Sequence, residues 1–151
     1  MKVKNYTSGV PANRSLMLIE EMLINIGATN ISKSIDVNKE VDGIVFMISV
    51  NNKSMLFKLK ARTEEVYKSL FKKERNTRGR QPDKDKQREQ AKRTAWKLLY
   101  DRVSMDATDI LLGQMELMEI FLSRAYDIEK DQTFFEMVKE SGFKQLSEGI
   151  K

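Results

Sequence analysis

The stretch from Lys92 to Leu112, KRTAWKLLYDRVSMDATDILL, decides the fold. Trp96, Leu99, Val103, Ala107 and Ile110 are spaced three, four, four and three apart, which is one face of a 3.6-residue helix. Ala95, Leu98, Leu111 and Leu112 widen that face until it needs a partner, and the single Trp of the chain sits on it. This is therefore the second part of a long amphipathic helix at the centre of a core. It begins near Asp83, where acids fall in the first turn, and ends or bends at Gly113.

Upstream of it the composition changes abruptly. Residues 72–93, KKERNTRGRQPDKDKQREQAKR, hold ten Lys or Arg against four acids and not one large apolar residue. Their net charge of +6 exceeds the +5 of the whole chain, so the basicity is local and the remainder is slightly acidic. Asn76 to Pro82 resists a helical reading, and the first two turns after Asp83 have nothing to bury.

The N-terminal half alternates differently. Residues 1–10 are polar and read as an arm or a short edge strand. From Pro11, Leu16, Ile19, Leu23 and Ile26 recur at helical spacing with Gly27 as a stop, which predicts a helix over 12–26. Three strand-like runs follow. The first, 28–37, carries Ile31, Ile35 and Val37 on a period of two. The second is the continuous run IVFMISV over 44–50, and Asn51-Asn52-Lys53 joins it to a third at 54–60. Thr63, with Glu64 and Glu65 behind it, opens a second helix to about Lys73 whose apolar side is Val66, Leu70 and Phe71.

Beyond Gly113, residues 114–125 predict a short apolar return helix, and 131–140 a last one around Phe134, Phe135 and Val138. The final ten residues are expected to fray. The class is α+β: an N-terminal helix, a three-stranded antiparallel meander, then a mostly helical C-terminal half with one long Trp-containing helix packed over the sheet. The 151 residues make a single domain, divided into 1–61 (helix plus meander), 62–74 (helix), 75–82 (flexible basic loop), 83–125 (long helix and return helix) and 126–151 (C-terminal helix and tail).

Composition removes several chemistries. Without Cys there are no disulfides, thiolate metal sites or Cys nucleophiles, and without His the commonest general base and transition-metal ligand are missing together. The glycines are scattered, so no phosphate-cradling loop is present, and no Ser, Lys or Tyr sits in a recognisable activated arrangement. The opening MKVKNYTSGVPANR lacks the apolar run of a signal peptide, and no segment has the roughly 18 to 20 apolar residues of a membrane span. An intracellular protein without a membrane partner is expected.

With these elements in order, the chain resembles a widespread, functionally uncharacterised family of small proteins encoded by bacteriophages and other mobile elements. The resemblance lies in the first helix, the hairpin FMISVNNKSMLFKLKA, the EEVYKSL helix and AWKLLYDRVSMDATDILLGQMELMEIFL, over residues 6–122. Ala95-Trp96 and the spacing from Trp96 to Phe121 match best. Members of that family tend to follow the Phe-Leu with a Pro, where this chain has Ser123-Arg124, and the last thirty residues have no counterpart there. The resemblance implies a phage or prophage origin, hence the cytoplasm of a bacterial host cell. It carries over no catalytic or binding residue.

The candidate binding residues are Lys72, Lys73, Arg75, Arg78, Arg80, Lys84, Arg88, Lys92 and Arg93, which as a flexible loop and the first turns of a helix suit sequence-independent phosphate contacts. The expected partner is nucleic acid, DNA before RNA, bound by a non-enzymatic accessory protein without cofactor or metal. The alternatives are a solvated linker, or a surface by which a phage-encoded interaction protein inhibits a host factor such as a defence nuclease complex. Trp96 and Tyr100 follow directly and could stack bases, but Trp96 shares its face with Leu99 and Val103 and reads as core. Lys58 and Lys60, on one strand face with Leu56, could extend a basic surface onto the sheet, but read rather as the solvent side of a guarded edge strand. Asp101, Asp106, Asp109, Glu116 and Glu119 have helical spacings that could gather Mg²⁺ for a nuclease, the least favoured reading. PDKDK at 82–86 imitates a nuclease signature in letters only, because it lies in a polar connection rather than on strands. Met105, Met115, Met118 and Met137 read as core filling rather than an adaptable interaction surface. Any apolar face the long helix leaves uncovered would favour a homodimer.

Overall fold

A computed structural model describes residues 3–71 and 83–147. The architecture is α+β, with an N-terminal helix, a three-stranded antiparallel sheet and a mostly helical second half. The elements of the first half are α1 (Ala12–Asn25), β1 (Asn30–Ile35), β2 (Val41–Val50), β3 (Lys53–Lys60) and α2 (Thr63–Phe71). Then comes α3 (Lys84–Leu111), 28 residues and therefore about 42 Å long.

Local chemistry explains the boundaries. Pro11 stands at the N-cap of α1, where its missing N–H is no loss. Gly27, at φ 109°, closes that helix: its N–H reaches the Ile24 carbonyl and the Ala28 N–H that of Leu23, a Schellman motif. Gly113, at φ 72°, ends α3 in the same way through the carbonyls of Ile110 and Asp109. The β2–β3 hairpin turns on Asn51 and Asn52, both left-handed (φ 50° and 63°), the turn geometry whose twist matches the flanking strands.

The sheet order is β1-β2-β3. Ile44, Phe46 and Ile48 of β2 and Phe57 and Leu59 of β3 are buried on one face, against Leu16, Ile19 and Leu23 of α1 and Trp96, Leu99 and Val103 of α3. Phe46 and Phe57 stack at 5.4 Å between ring centres, and Phe121 meets Phe46 edge-on at 5.7 Å. The long helix is thus the centre of the core.

Six expectations change. The first strand is shorter than 28–37, and its period of two fails at the end. A bulge pairs Ser34 with Gly43 but Ile35 with Val41, so Ile35 is rotated outward and Val37 lies fully exposed in the following turn. Leu111 and Leu112 do not widen the buried face, because the chain turns away at Gly113 before anything covers them.

The return helix is only α4 (Leu117–Phe121), followed by a 3-10 turn at Leu122–Arg124. It starts late because a reciprocal capping box of Glu116 and Glu119 defines its first turn. It stops early because Ala125 leaves to pair with Phe57 on the open edge of β3. The last helix, α5 (Phe134–Glu140), begins three residues after 131, because β4 (Tyr126–Asp127) and β5 (Gln132–Thr133) first form a small hairpin. Thr133 then caps it through the Glu136 N–H. Part of the tail expected to fray is helical, as α6 (Lys144–Ser147). Of the Met stripe, Met118 packs on the core, whereas Met105, Met115 and Met137 are exposed because nothing among the described residues covers their side of the fold.

Candidate nucleic-acid interface

The first half of α3 carries the described part of the basic segment. Asp83 caps it, its carboxylate accepting from the Asp85 and Lys86 N–H groups at 3.0 and 3.3 Å. Of residues 83–90, none is buried; from Ala91 onward one side of the helix enters the core.

The nine candidate cations fall into three groups. Lys72, Lys73, Arg75, Arg78 and Arg80 lie outside the described residues. Lys84 is exposed at the very start of α3, and Lys86, which the sequence reading left aside, is exposed two residues on. The remaining three have neighbours of their own.

Arg88 donates to the Glu64 carboxylate on α2 and lies over the Tyr67 ring at 4.5 Å, and the hydrogen bond to Glu64 raises its proton affinity. Lys92 lines a groove of about 300 Å³ with Arg88 and with Glu40, Glu64 and Glu89, so acids outnumber cations around it and weaken its pull on a phosphate. Arg93 points at the N-terminal arm, donating from Nε to the Ser8 carbonyl at 3.3 Å and from Nη2 to Gln90 at 2.7 Å. Gln90 donates to the Tyr6 and Ser8 carbonyls, and Thr94 to that of Asn5. This side of α3 is therefore a bracket for residues 5–8.

Trp96 is buried in the core, so it presents no ring to a base. Tyr100 is half-buried with the Lys97 ammonium 4.2 Å above its ring.

Four of the five carboxylates weighed as metal ligands have other partners, and the fifth, Asp109, meets Asp106 as a like charge. Asp101 accepts from Asn5 and pairs with Lys97 and Lys4; burial pushes its pKa up, but these contacts outweigh burial and hold it below the usual carboxylate range. Asp106 faces Arg124, and Glu116 and Glu119 form the capping box. Among the described residues no three acidic side chains converge on a point.

Lys58 and Lys60 are not on a solvent side. The Lys58 side chain is 10% exposed, with its ammonium 3.5 Å from Asp131 and over the Tyr126 ring, and Lys60 reaches Glu136 at 3.3 Å. They hold the C-terminal segment against β3. They also contribute to a second concentration of positive charge, assembled with arginines from distant parts of the chain. With Arg62, Arg102 and Arg124 they line a cavity of about 140 Å³ in which Glu136 is the acidic residue.

Among the described residues no helix is long and apolar enough to cross a membrane. Comparison of the chain with protein-family models, with curated proteins and with solved structures finds no match in any of the three.

Proposed function

We propose that this chain is a non-enzymatic, phage-type accessory protein that binds nucleic acid, DNA in the first place, through the basic segment 72–93. The observation that carries the reading is the placement of charge: a net of +6 within 22 residues, leading into helical turns that bury nothing. A helix start held rigidly by its packed second half can present such cations to a phosphate backbone without sequence preference. Because Arg88 and Arg93 are engaged within the fold, Lys72, Lys73, Arg75, Arg78, Arg80 and Lys84, with Lys86 beside them, are the residues best suited to the contact.

The test is a fluorescence-anisotropy titration of single-stranded DNA, duplex DNA and RNA at two salt concentrations. The intact chain is compared with a variant in which Arg75, Arg78, Arg80 and Lys84 become Gln. Salt-sensitive binding that the variant loses is the expected result. Equal binding by the variant would remove the segment as the site. No binding at low salt would instead favour the reading in which the same cations dock on an acidic face of a host protein.

A further inference from the structure

We infer that the cavity between β3, the start of α2, the middle of α3 and the 3-10 turn binds a phosphomonoester group, held by Arg62, Arg102 and Arg124. It is independent of the basic segment: Arg102 lies fourteen residues down α3 from Arg88, about 21 Å of helix away.

The first support is convergence against repulsion. The cationic residues come from separate parts of the chain, and folding brings them around one small space. The two lysines have acidic partners in Asp131 and Glu136, whereas the arginines keep spare donors. Arg62 has only a 3.8 Å contact to Glu65 at the surface, and Arg102 is exposed without an ion pair among the described residues.

Arg124 supplies the second support. Its side chain is 22% exposed, and among the described residues its buried Nη1 has no hydrogen-bond partner and its one ion pair, to Asp106, is long at 3.8 Å. Burial first, then the like charge of Arg102, works against its protonated form, with Asp106 opposing them and Arg62 adding to them. Asp106 is itself raised above the ordinary carboxylate range by burial, despite Arg124 and Arg102. A desolvated pair that touches without hydrogen bonding leaves both charges poorly compensated. An oxyanion with several acceptor oxygens supplies what the three guanidinium forks lack.

Size and surroundings narrow the ligand. About 140 Å³ is ample for a tetrahedral anion, and the polar lining of Lys58, Lys60, Ser123 and Thr133 beside the arginines suits such an ion better than an apolar ring. Lys60, Arg62, Leu99 and Arg102 also line an adjoining apolar cleft of about 330 Å³ between α2 and α3, with Val66, Leu70 and Leu98 on its walls. An anion in the basic cavity would have its organic carrier there. This combination fits a phosphate ester better than free phosphate.

The test is a phosphorus NMR titration of the full chain, in a buffer free of phosphate and at constant ionic strength, with inorganic phosphate and with phenyl phosphate. Saturable binding of both is expected, with phenyl phosphate the tighter. The double variant Arg62→Gln/Arg102→Gln, both surface positions whose replacement leaves the core intact, should weaken it by about tenfold or more, the loss of a charge-assisted contact. The variant at Arg75, Arg78, Arg80 and Lys84 should bind phosphate as the intact chain does, even if it no longer binds nucleic acid.

The inference is overturned if neither probe saturates, if Arg62→Gln/Arg102→Gln binds them unchanged, or if binding follows the basic segment instead. An added pair of oligonucleotides separates the sources. A preference for a 5′-phosphorylated strand over its 5′-hydroxyl form, lost in Arg62→Gln/Arg102→Gln, assigns a strand end; equal binding of the two strands alongside tight phenyl phosphate assigns a small phosphorylated molecule.

Discussion

Thr94, fully buried on α3, donates its hydroxyl to the Asn5 carbonyl at 2.9 Å, across 89 residues of chain. The same oxygen accepts from Gln90, so one side chain ties the N-terminal arm to the long helix. Thr94→Val keeps the shape but removes this bond, leaving the Asn5 carbonyl with the Ser8 N–H alone and Gln90 short of one acceptor, at a cost of about 0.5–1.5 kcal/mol. Urea denaturation should show the lower midpoint, with Thr94→Ser closer to the parent. An unchanged midpoint in the Val variant would mean that water replaces the hydroxyl there.

Asp101 makes stability depend on pH in a defined direction. Its folded pKa lies below the unfolded value, because the contacts from Asn5, Lys97 and Lys4 outweigh burial. The carboxylate therefore contributes stability that is fully present above the unfolded pKa of about 3.9 and lost as pH falls through the lower folded value. Glu136, held low by Thr133 and Lys60 against burial, acts in the same sense. Asp101→Asn should flatten the acid limb of a stability–pH profile, and an unchanged limb would assign that slope to other carboxylates.

Tyr126 reports the docking of the C-terminal hairpin. Its hydroxyl donates to Asp131 at 2.6 Å, and that bond, with burial and the neighbouring negative charge, pushes its pKa up to about 12. Here the raised value means that stability is fully present below the unfolded pKa of about 10 and is lost as pH rises towards the folded one. A tyrosinate absorbance titration, taken as the difference from Tyr126→Phe, should show this late ionisation. Asp131→Asn should bring it back towards the ordinary value, and no movement would show that the bond does not persist in solution.

Gly43 has no room for a side chain. A Cβ there would overlap the Leu59 carbonyl oxygen on β3 and come within 2.9 Å of the Ser34 hydroxyl on β1. Since backbone on one side must move, Gly43→Ala should cost about 1–3 kcal/mol as an overpacking change. A denaturation midpoint equal to the parent's would show that β3 shifts freely.

Periodicity makes the centre of the molecule legible in the sequence. The spacing from Trp96 to Ala107, the Gly27 and Gly113 stops and the Asn51-Asn52 turn are all local, because a helix face or a two-residue turn is encoded within a few neighbouring residues. The failures were equally physical. At Ile35 a bulge, set by pairing with β2 rather than by β1, reversed an alternation that looked regular. At residues 126–133 a hairpin too short to show a period exists because it packs on β3.

Charge divides along the same line. The run from 72 to 93 was visible in the sequence because its cations are consecutive, but their partners were not: Glu64 and Ser8, which engage Arg88 and Arg93, are 24 and 85 residues away. The basic cavity was invisible altogether, since Arg62 in the β3–α2 connection, Arg102 on α3 and Arg124 in the 3-10 turn are far apart in the chain and meet only when these parts close around the end of β3. Short-range order follows from the residue pattern itself, whereas which charges meet, and which are left without an acceptor, follows from contacts between segments that no local pattern encodes.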